Sequence, residues 1–176
     1  MVTPNPPVAF KEWAAVCRAL AAGVQTVILR KGGIAEAGGT FRPEYDRFWL
    51  YPTYFHEPQA GGLRPEFLTL LAMAEAERPP IGTVRLSHVA EVTRVQFLDD
   101  LDAAFALESL HVLSAETVRK RFVYRDPGLY VLDVRVTPTG PLELSESPTF
   151  LGCKTWVELG KSEKSEWTVD RPKKGG

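Results

Sequence analysis

The chain has 176 residues, a length suited to one domain. Hydrophobic residues make up 44% of it and charged residues 24%, which is the composition of a chain with a packed core and excludes a disordered or collagen-like protein. Lys and Arg number 21 against 22 Asp and Glu, so the net charge of -1 excludes a general polycationic coat for nucleic acid, and any site for a polyanion must be local.

The cysteine and hydrophobic patterns predict where such a protein works. Cys17 and Cys153 lie far apart, and no basic segment followed by an apolar run opens the chain, which predicts a cytoplasmic protein. Charged residues interrupt every hydrophobic run before about 18 residues, so we expect no membrane span. Fourteen Pro and fourteen Gly indicate short elements joined by many turns, which favours a β or α+β fold.

Three segments are expected along the chain. Residues 1–9 contain three prolines and are predicted to form a flexible lead-in. Residues 10–159 are predicted to form a single domain. Residues 160–176 mix basic and acidic side chains without an apolar pattern, which predicts a charged, disordered tail.

The first predicted elements are a helix and two strands. Apolar residues recur at three- and four-residue steps from Phe10, which predicts a helix over 10–22 that ends at Gly23. The β-branched run over 24–31 predicts a strand that stops at the Gly32-Gly33 turn. Aromatic residues fill 47–55 and predict a second strand, which Pro52 limits to an edge, a bulge or a strand end.

Later elements follow from capping residues and alternation. Pro65 predicts the start of a helix over 66–77, and a change of phase in the alternation over 83–97 predicts a long strand with a bulge near Thr93. Asp99 or Asp100 and then Ser114 are predicted to cap two further helices. Strands are expected over 129–136 and 154–159, with a turn at 138–141 between them.

The candidate binding residues begin at the end of the first strand. Arg30 and Lys31 lie beside the predicted Gly-Gly turn, where two cations and exposed backbone N–H groups suit a phosphate or carboxylate. Gln25 and Thr26 precede them on the same strand. The alternative is a solvated strand end on a tight hairpin.

The aromatic strand provides a second group of candidates. Trp49 and Tyr51 share one face, and an exposed ring there could stack a nucleobase at roughly 1–3 kcal/mol. His56 follows and could contact a base edge. The alternative is that this face is core, as aromatic strands usually are.

Two family resemblances follow from these residues. The helix followed by Gly23-x-Gln25-Thr26-x-x-x-Arg30 resembles the opening of ASCH domains, relatives of the PUA-like barrel with the motif Gly-x-Lys-x-x-Glu-x-Arg. Gln25 and Ile28 stand where that motif has its lysine and glutamate. The wider pattern of Leu-Arg-Lys-Gly-Gly, Phe-Trp-Leu-Tyr-Pro-Thr-Tyr-Phe-His and Gly-Cys-Lys-Thr-Trp resembles a bacterial family catalogued as domain of unknown function 1802.

The ASCH resemblance implies an α+β fold, namely a small, bent, mostly antiparallel β-barrel with flanking helices. It also implies a groove for RNA or a modified nucleotide or nucleobase, with Arg30 at a phosphate or base edge. Some ASCH relatives hydrolyse an acylated base with the lysine and glutamate of the motif. An amide and an alkyl group cannot titrate, so Gln25 and Ile28 favour binding over hydrolysis.

Two other functions remain open from the sequence. Asp133, Arg135 and Glu143 could form the acidic and basic part of a metal-dependent nuclease. A protein-interaction scaffold would use the same aromatic residues and the charged tail without nucleic acid. No Cys/His cluster, phosphate loop or dinucleotide fingerprint is present, so no cofactor is expected.

Overall fold

One six-stranded sheet organises the chain. In this computed structural model, the described residues are 5–31, 44–54, 56–152 and 154–160, without the side chains of 56–58. The strands are β1 (Val8–Trp13), β2 (Val27–Arg30), β3 (Arg47–Thr53), β4 (Thr83–Leu98), β5 (Leu129–Ser145) and β6 (Trp156–Glu158). The α-helices in these ranges are α1 (Ala14–Ala21), α2 (His56–Gly62), α3 (Leu68–Ala76), α4 (Leu101–Phe105) and α5 (Ala115–Val123).

The strand order is β2-β5-β4-β3-β1-β6, and every neighbouring pair is antiparallel except β1 with β3. The expected α+β class with a mostly antiparallel sheet is therefore confirmed. The closed barrel is not confirmed, because β2 and β6 are edges and no backbone pairing between them is found in the described ranges. A side chain connects the two edges instead, since Arg30 Nη2 at the end of β2 donates to Thr155 Oγ1, just before β6, at 2.7 Å.

The predicted start of the first helix is wrong. Residues 10–13 belong to β1, which begins at Val8 inside the predicted lead-in, and α1 begins at Ala14. β1 lies between β3 and β6, with Phe10 in register with Leu50 on one side and Trp156 on the other. The backbone partners on both sides of β1 decide its conformation, and they come from distant parts of the sequence.

β4 and β5 form the long hairpin of the sheet, with two irregularities. The predicted bulge near Thr93 is confirmed by a register shift between Val92 and Arg94. The predicted turn over 138–141 is wrong, because β5 continues to Ser145 and residues 139–141 form a bulge opposite Ser87 alone. Bulged residues need no ladder partner, so the proline at 141 is accommodated within the strand.

The capping predictions agree with the structure. Asp100 accepts a hydrogen bond from the N–H of Asp102 at the start of α4, and Ser114 accepts one from the N–H of Thr117 at the start of α5. Pro65 opens a 3₁₀ turn that leads directly into α3. None of the helices in the described ranges combines the length and the apolar character needed to cross a bilayer.

Both faces of the sheet are buried because successive strand residues point in opposite directions. Phe48 and Leu50 of β3 join the main core, which also contains the buried sides of α1 and α5. Trp49 and Tyr51 join a smaller core on the other face, together with Phe150. α5 packs on the face of the sheet that bears the main core. This packing places the basic residues of α5 beside those at the end of β2.

Candidate functional site

A cavity of about 300 Å³ lies between the end of β2 and the last turn of α5. Among the described residues, four basic side chains and one tyrosine line it and no carboxylate does: Arg30, Lys31, Lys120, Arg121 and Tyr124. We call this the basic cavity. Basic residues from two elements meet here, so the local potential is positive although the chain as a whole carries a net charge of -1.

Lys31 is held by main-chain carbonyl groups at the end of α5. Its ammonium donates to the carbonyl oxygens of Phe122 (3.4 Å), Gly128 (2.9 Å) and Asp126. Burial lowers the pKa of Lys31, and the nearby Asp126 carboxylate opposes this change by raising it. Carbonyl acceptors carry no net charge, so Lys31 stabilises the end of α5 and still contributes positive charge to the cavity.

Arg121 is fixed by three contacts. Its Nη1 donates to the carbonyl oxygen of Leu29 at 2.7 Å, its Nη2 lies 3.5 Å from Glu12 Oε1, and its Cζ lies 5.0 Å from the centre of the Trp13 ring. Glu12 is only 3% exposed, and its second oxygen, Oε2, has no hydrogen-bond partner among the described residues. The buried carboxylate of Glu12 therefore helps to fix the position of the Arg121 guanidinium.

Arg30 contributes to the cavity and to the sheet at once. In addition to its bond to Thr155, its Cζ lies 5.4 Å from the centre of the Phe10 ring. The predicted Gly32-Gly33 turn lies outside the described residues. Arg30 and Lys31 nevertheless line a cavity, and the residues that join them there come from the end of α5.

Lys120 and Tyr124 are the solvent-facing members of the cavity. Lys120 forms an exposed ion pair with Glu116 at 2.6 Å, one helical turn earlier, and such a pair contributes little and exchanges easily. The Tyr124 side chain is 43% exposed, and the guanidinium of Arg125 lies 5.3 Å from its ring centre. These two residues can reach a ligand without breaking a buried contact.

The candidates that precede Arg30 on the chain lie elsewhere. Gln25 is buried, donates to the carbonyl oxygen of Val27 at 2.8 Å and accepts from the N–H of Val112 at 3.1 Å. Thr26 is exposed, and its main chain bonds to Leu110 and Val134. Gln25 thus ties β2 to the segment before α5, and neither residue lines the basic cavity.

The aromatic candidates are not brought to the basic cavity. Trp49 is buried and donates from its indole nitrogen to the carbonyl oxygen of Pro6 at 3.0 Å. Tyr51 is buried against Phe150, with ring centres 6.3 Å apart. Trp49 is only 3% exposed, and Tyr51, which is 6% exposed, lines a different cavity, of about 330 Å³. His56 begins α2, and its side chain lies outside the described residues.

The residues of the alternative nuclease site are spread along β5. Arg135 Nη1 lies 3.8 Å from Glu91 Oε1, and Glu143 Oε1 accepts from Arg85 at 2.8 Å, so both pair with β4. The main-chain oxygen of Asp133 accepts from Thr93. In the part of the chain that the structure describes, no group of three metal-ligating side chains is found.

Two further cavities, of about 170 and 330 Å³, share four lining residues, namely Pro52, Tyr54, Pro79 and Arg85. Carboxylates line both of them. Glu77 in the first forms an ion pair with Arg18 at 2.6 Å, and Glu146 lines the second. Their mixed charge makes them poorer sites for a polyanion than the basic cavity.

Comparison with known proteins agrees with this fold. The sequence profile of the family described as a domain of unknown function (DUF1802) matches residues 9–170. The chain belongs to this family. No curated protein matches it.

Solved structures of ASCH proteins are among those that resemble the chain. A single-site mutant of the ASCH protein of Zymomonas mobilis has a TM-score of 0.51 and 16% sequence identity, and the match covers 88% of each chain. A second structure of ASCH from the same organism has a TM-score of 0.46 and 15% identity, over 77% of this chain and 71% of that chain. The first of these shows that the chain has an ASCH-like fold.

The basic residues of α5 were not among the candidates predicted from the sequence. Arg119, Lys120 and Arg121 form the densest basic run in the predicted helix, and Tyr124 and Arg125 follow after two intervening residues. That run was a usable signal, because Lys and Arg clustered along a helix are the electrostatic footprint of nucleic-acid binding. Nothing in the sequence showed that this helix end packs beside Arg30.

Proposed function

We propose that the chain binds RNA or a nucleotide through a phosphate group held in the basic cavity. The observation that carries this proposal is the convergence of four basic side chains beside an exposed tyrosine, with no carboxylate in the lining that the described part of the chain provides. Phosphate contacts from Lys and Arg supply most of the affinity of such proteins, and aromatic rings stack unpaired bases.

The rigidity of the cations supports this function. Lys31 and Arg121 are held by carbonyl groups and by buried Glu12, so binding would cost little side-chain entropy at these positions. Lys120 stays exposed and can move from Glu116 to an incoming phosphate. Fixed charges set the field of the cavity, and a mobile charge completes the contact.

The two departures from the ASCH motif, Gln25 and Ile28, support binding rather than hydrolysis. Ile28 lies fully buried in the core, and the amide of Gln25 is committed to two main-chain groups. The ASCH resemblance places the proton-transferring lysine and glutamate at these two positions. Neither side chain here exchanges protons near neutral pH.

The test measures the salt dependence of RNA binding. A fluorescently labelled single-stranded RNA is titrated with the wild type, Lys120→Gln and Lys154→Gln by anisotropy at several KCl concentrations. Lys154 is an exposed lysine outside the basic cavity, so it is the matched control. We expect Lys120→Gln to weaken binding and to reduce the slope of log K against log salt by about 0.7, the value for one lost phosphate contact on a single strand.

Two outcomes would contradict the proposal. One is a wild type whose binding is absent or independent of salt. The other is an equal loss of affinity in both lysine variants, which would mean that total charge, rather than the basic cavity, governs binding.

A further inference from the structure

Arg125, two residues after the end of α5, has a φ of 60°. Among the described residues it is the one non-glycine residue in the left-handed region. A side chain with a Cβ is disfavoured there. Where a helix is followed by a residue in the left-handed conformation, that residue is usually glycine. An arginine at this position therefore needs an explanation.

The main chain explains the left-handed turn but not the arginine. After α5 the chain reverses so that the carbonyl groups of Phe122, Asp126 and Gly128 all meet the ammonium of Lys31, and the N–H of Gly128 bonds to the carbonyl oxygen of Phe122 at 3.0 Å. A left-handed residue inside the reversal makes this possible. Glycine would adopt that conformation at a lower cost.

The side chain of Arg125 instead lies over Tyr124. Its Cζ is 5.3 Å from the ring centre, and both residues are exposed. Tyr124 also lines the basic cavity. The guanidinium thus lies over one face of the Tyr124 ring, and the Tyr124 side chain lies at the exposed edge of the basic cavity. We call Tyr124 and Arg125 the stacking platform.

We propose that Tyr124 and Arg125 stack an unpaired base whose phosphate is held in the basic cavity, so that the ligand is single-stranded rather than duplex RNA. This inference rests on the proposed function and specifies its ligand. Bases in a duplex are stacked on one another and offer no face to such a platform, whereas unpaired bases stack on tyrosine and arginine. The conformational cost at Arg125 is then the cost of placing the guanidinium over the Tyr124 ring.

The experiment separates backbone cost from ligand contact. Arg125→Gly relieves the left-handed strain and removes the guanidinium, so we expect its Tm to rise by about 2 °C while its affinity for single-stranded RNA falls by about tenfold. Arg125→Lys retains the charge without the planar group. We expect it to keep the salt slope and still lose affinity for the single strand. Arg47→Ala, which removes an exposed arginine of β3 outside the basic cavity, is the control.

The outcomes distinguish this inference from the proposed function. Should the wild type bind RNA with a salt slope that Lys120→Gln reduces, while Arg125→Gly binds the single strand as tightly as the wild type, the platform is wrong and the cavity remains. A wild type that prefers duplex RNA of the same length likewise overturns the platform. Absence of any salt-dependent binding overturns the proposed function itself.

Discussion

Arg30 combines a structural role with a place in the candidate site. Its guanidinium bonds to Thr155, lies over the Phe10 ring and lines the basic cavity. Loss of RNA binding in an Arg30 variant would therefore have two explanations, namely a lost charge or a displaced sheet edge. Thr155 allows the two to be separated, because it takes part in the bond without carrying charge.

We predict that Thr155→Val and Arg30→Ala destabilise the fold and differ in RNA binding. Thr155→Val removes the hydrogen bond between the Thr155 hydroxyl and the half-buried guanidinium of Arg30, which should lower the free energy of unfolding by about 1 kcal/mol. The charge remains, so the salt slope should not change. Arg30→Ala should lower stability and also reduce the slope. Urea denaturation and anisotropy titrations measure both quantities, and an equal loss of slope in the two variants would contradict this assignment.

At the scale of elements, the contact between α2 and α5 keeps the back of the basic cavity in place. Thr117 of α5 donates from Oγ1 to the carbonyl oxygen of Gly62 at 3.0 Å. A Cβ atom on Gly62 would lie 2.5 Å from two atoms of the Trp13 ring, the ring that Arg121 stacks on. Gly62 at the end of α2 and Arg121 of the basic cavity therefore both lie against the Trp13 ring.

Gly62→Ala should therefore lower the free energy of unfolding by about 1–3 kcal/mol, the usual range for overpacking a filled site. Gly61→Ala is the matched control, because a Cβ there meets nothing within 4 Å. The control should be neutral or slightly stabilising, since alanine favours a helix over glycine. Chemical denaturation of both variants checks this prediction, and equal stabilities would mean that Trp13 yields without cost.

The elements that sequence analysis predicted well are those with local signals. Ser114 and Asp100 cap helices through bonds to residues two or three positions later, and the bulge near Thr93 follows from the phase of its own strand. β1 was mistaken for helix because its apolar spacing suits both structures. The choice between them depends on β3 and β6, which are far away in sequence.

For the whole molecule, pH dependence follows from one buried histidine. His111 is 2% exposed and accepts a hydrogen bond at Nδ1 from the N–H of Leu113, so its neutral form carries the proton on Nε2. Burial, followed by the charges of Arg64 and Arg121, lowers the pKa of His111 to about 4. The unfolded chain takes up a proton near pH 6.5, whereas the folded chain resists it.

The contribution of neutral His111 to the free energy of unfolding should therefore be complete above about pH 6.5 and should be lost as the pH falls toward 4. The loss should reach about 2–3 kcal/mol. Urea unfolding of the wild type and His111→Gln at several pH values measures it. Burial also lowers the pKa of His88, which therefore contributes to the pH dependence of both proteins. The prediction concerns the difference in unfolding free energy between the wild type and His111→Gln. Parallel pH profiles would contradict it.

The sequence by itself determined the α+β class, the caps of α4 and α5, the bulge near Thr93 and the presence of a cationic end on β2, because these depend on residues close together in the chain. The tertiary structure alone decided that Arg30 meets Lys120, Arg121 and Tyr124, since sheet order and the packing of α5 bring together segments about ninety residues apart. It also decided that Trp49 and Tyr51 are buried, because alternation places two residues on one face without saying what covers that face.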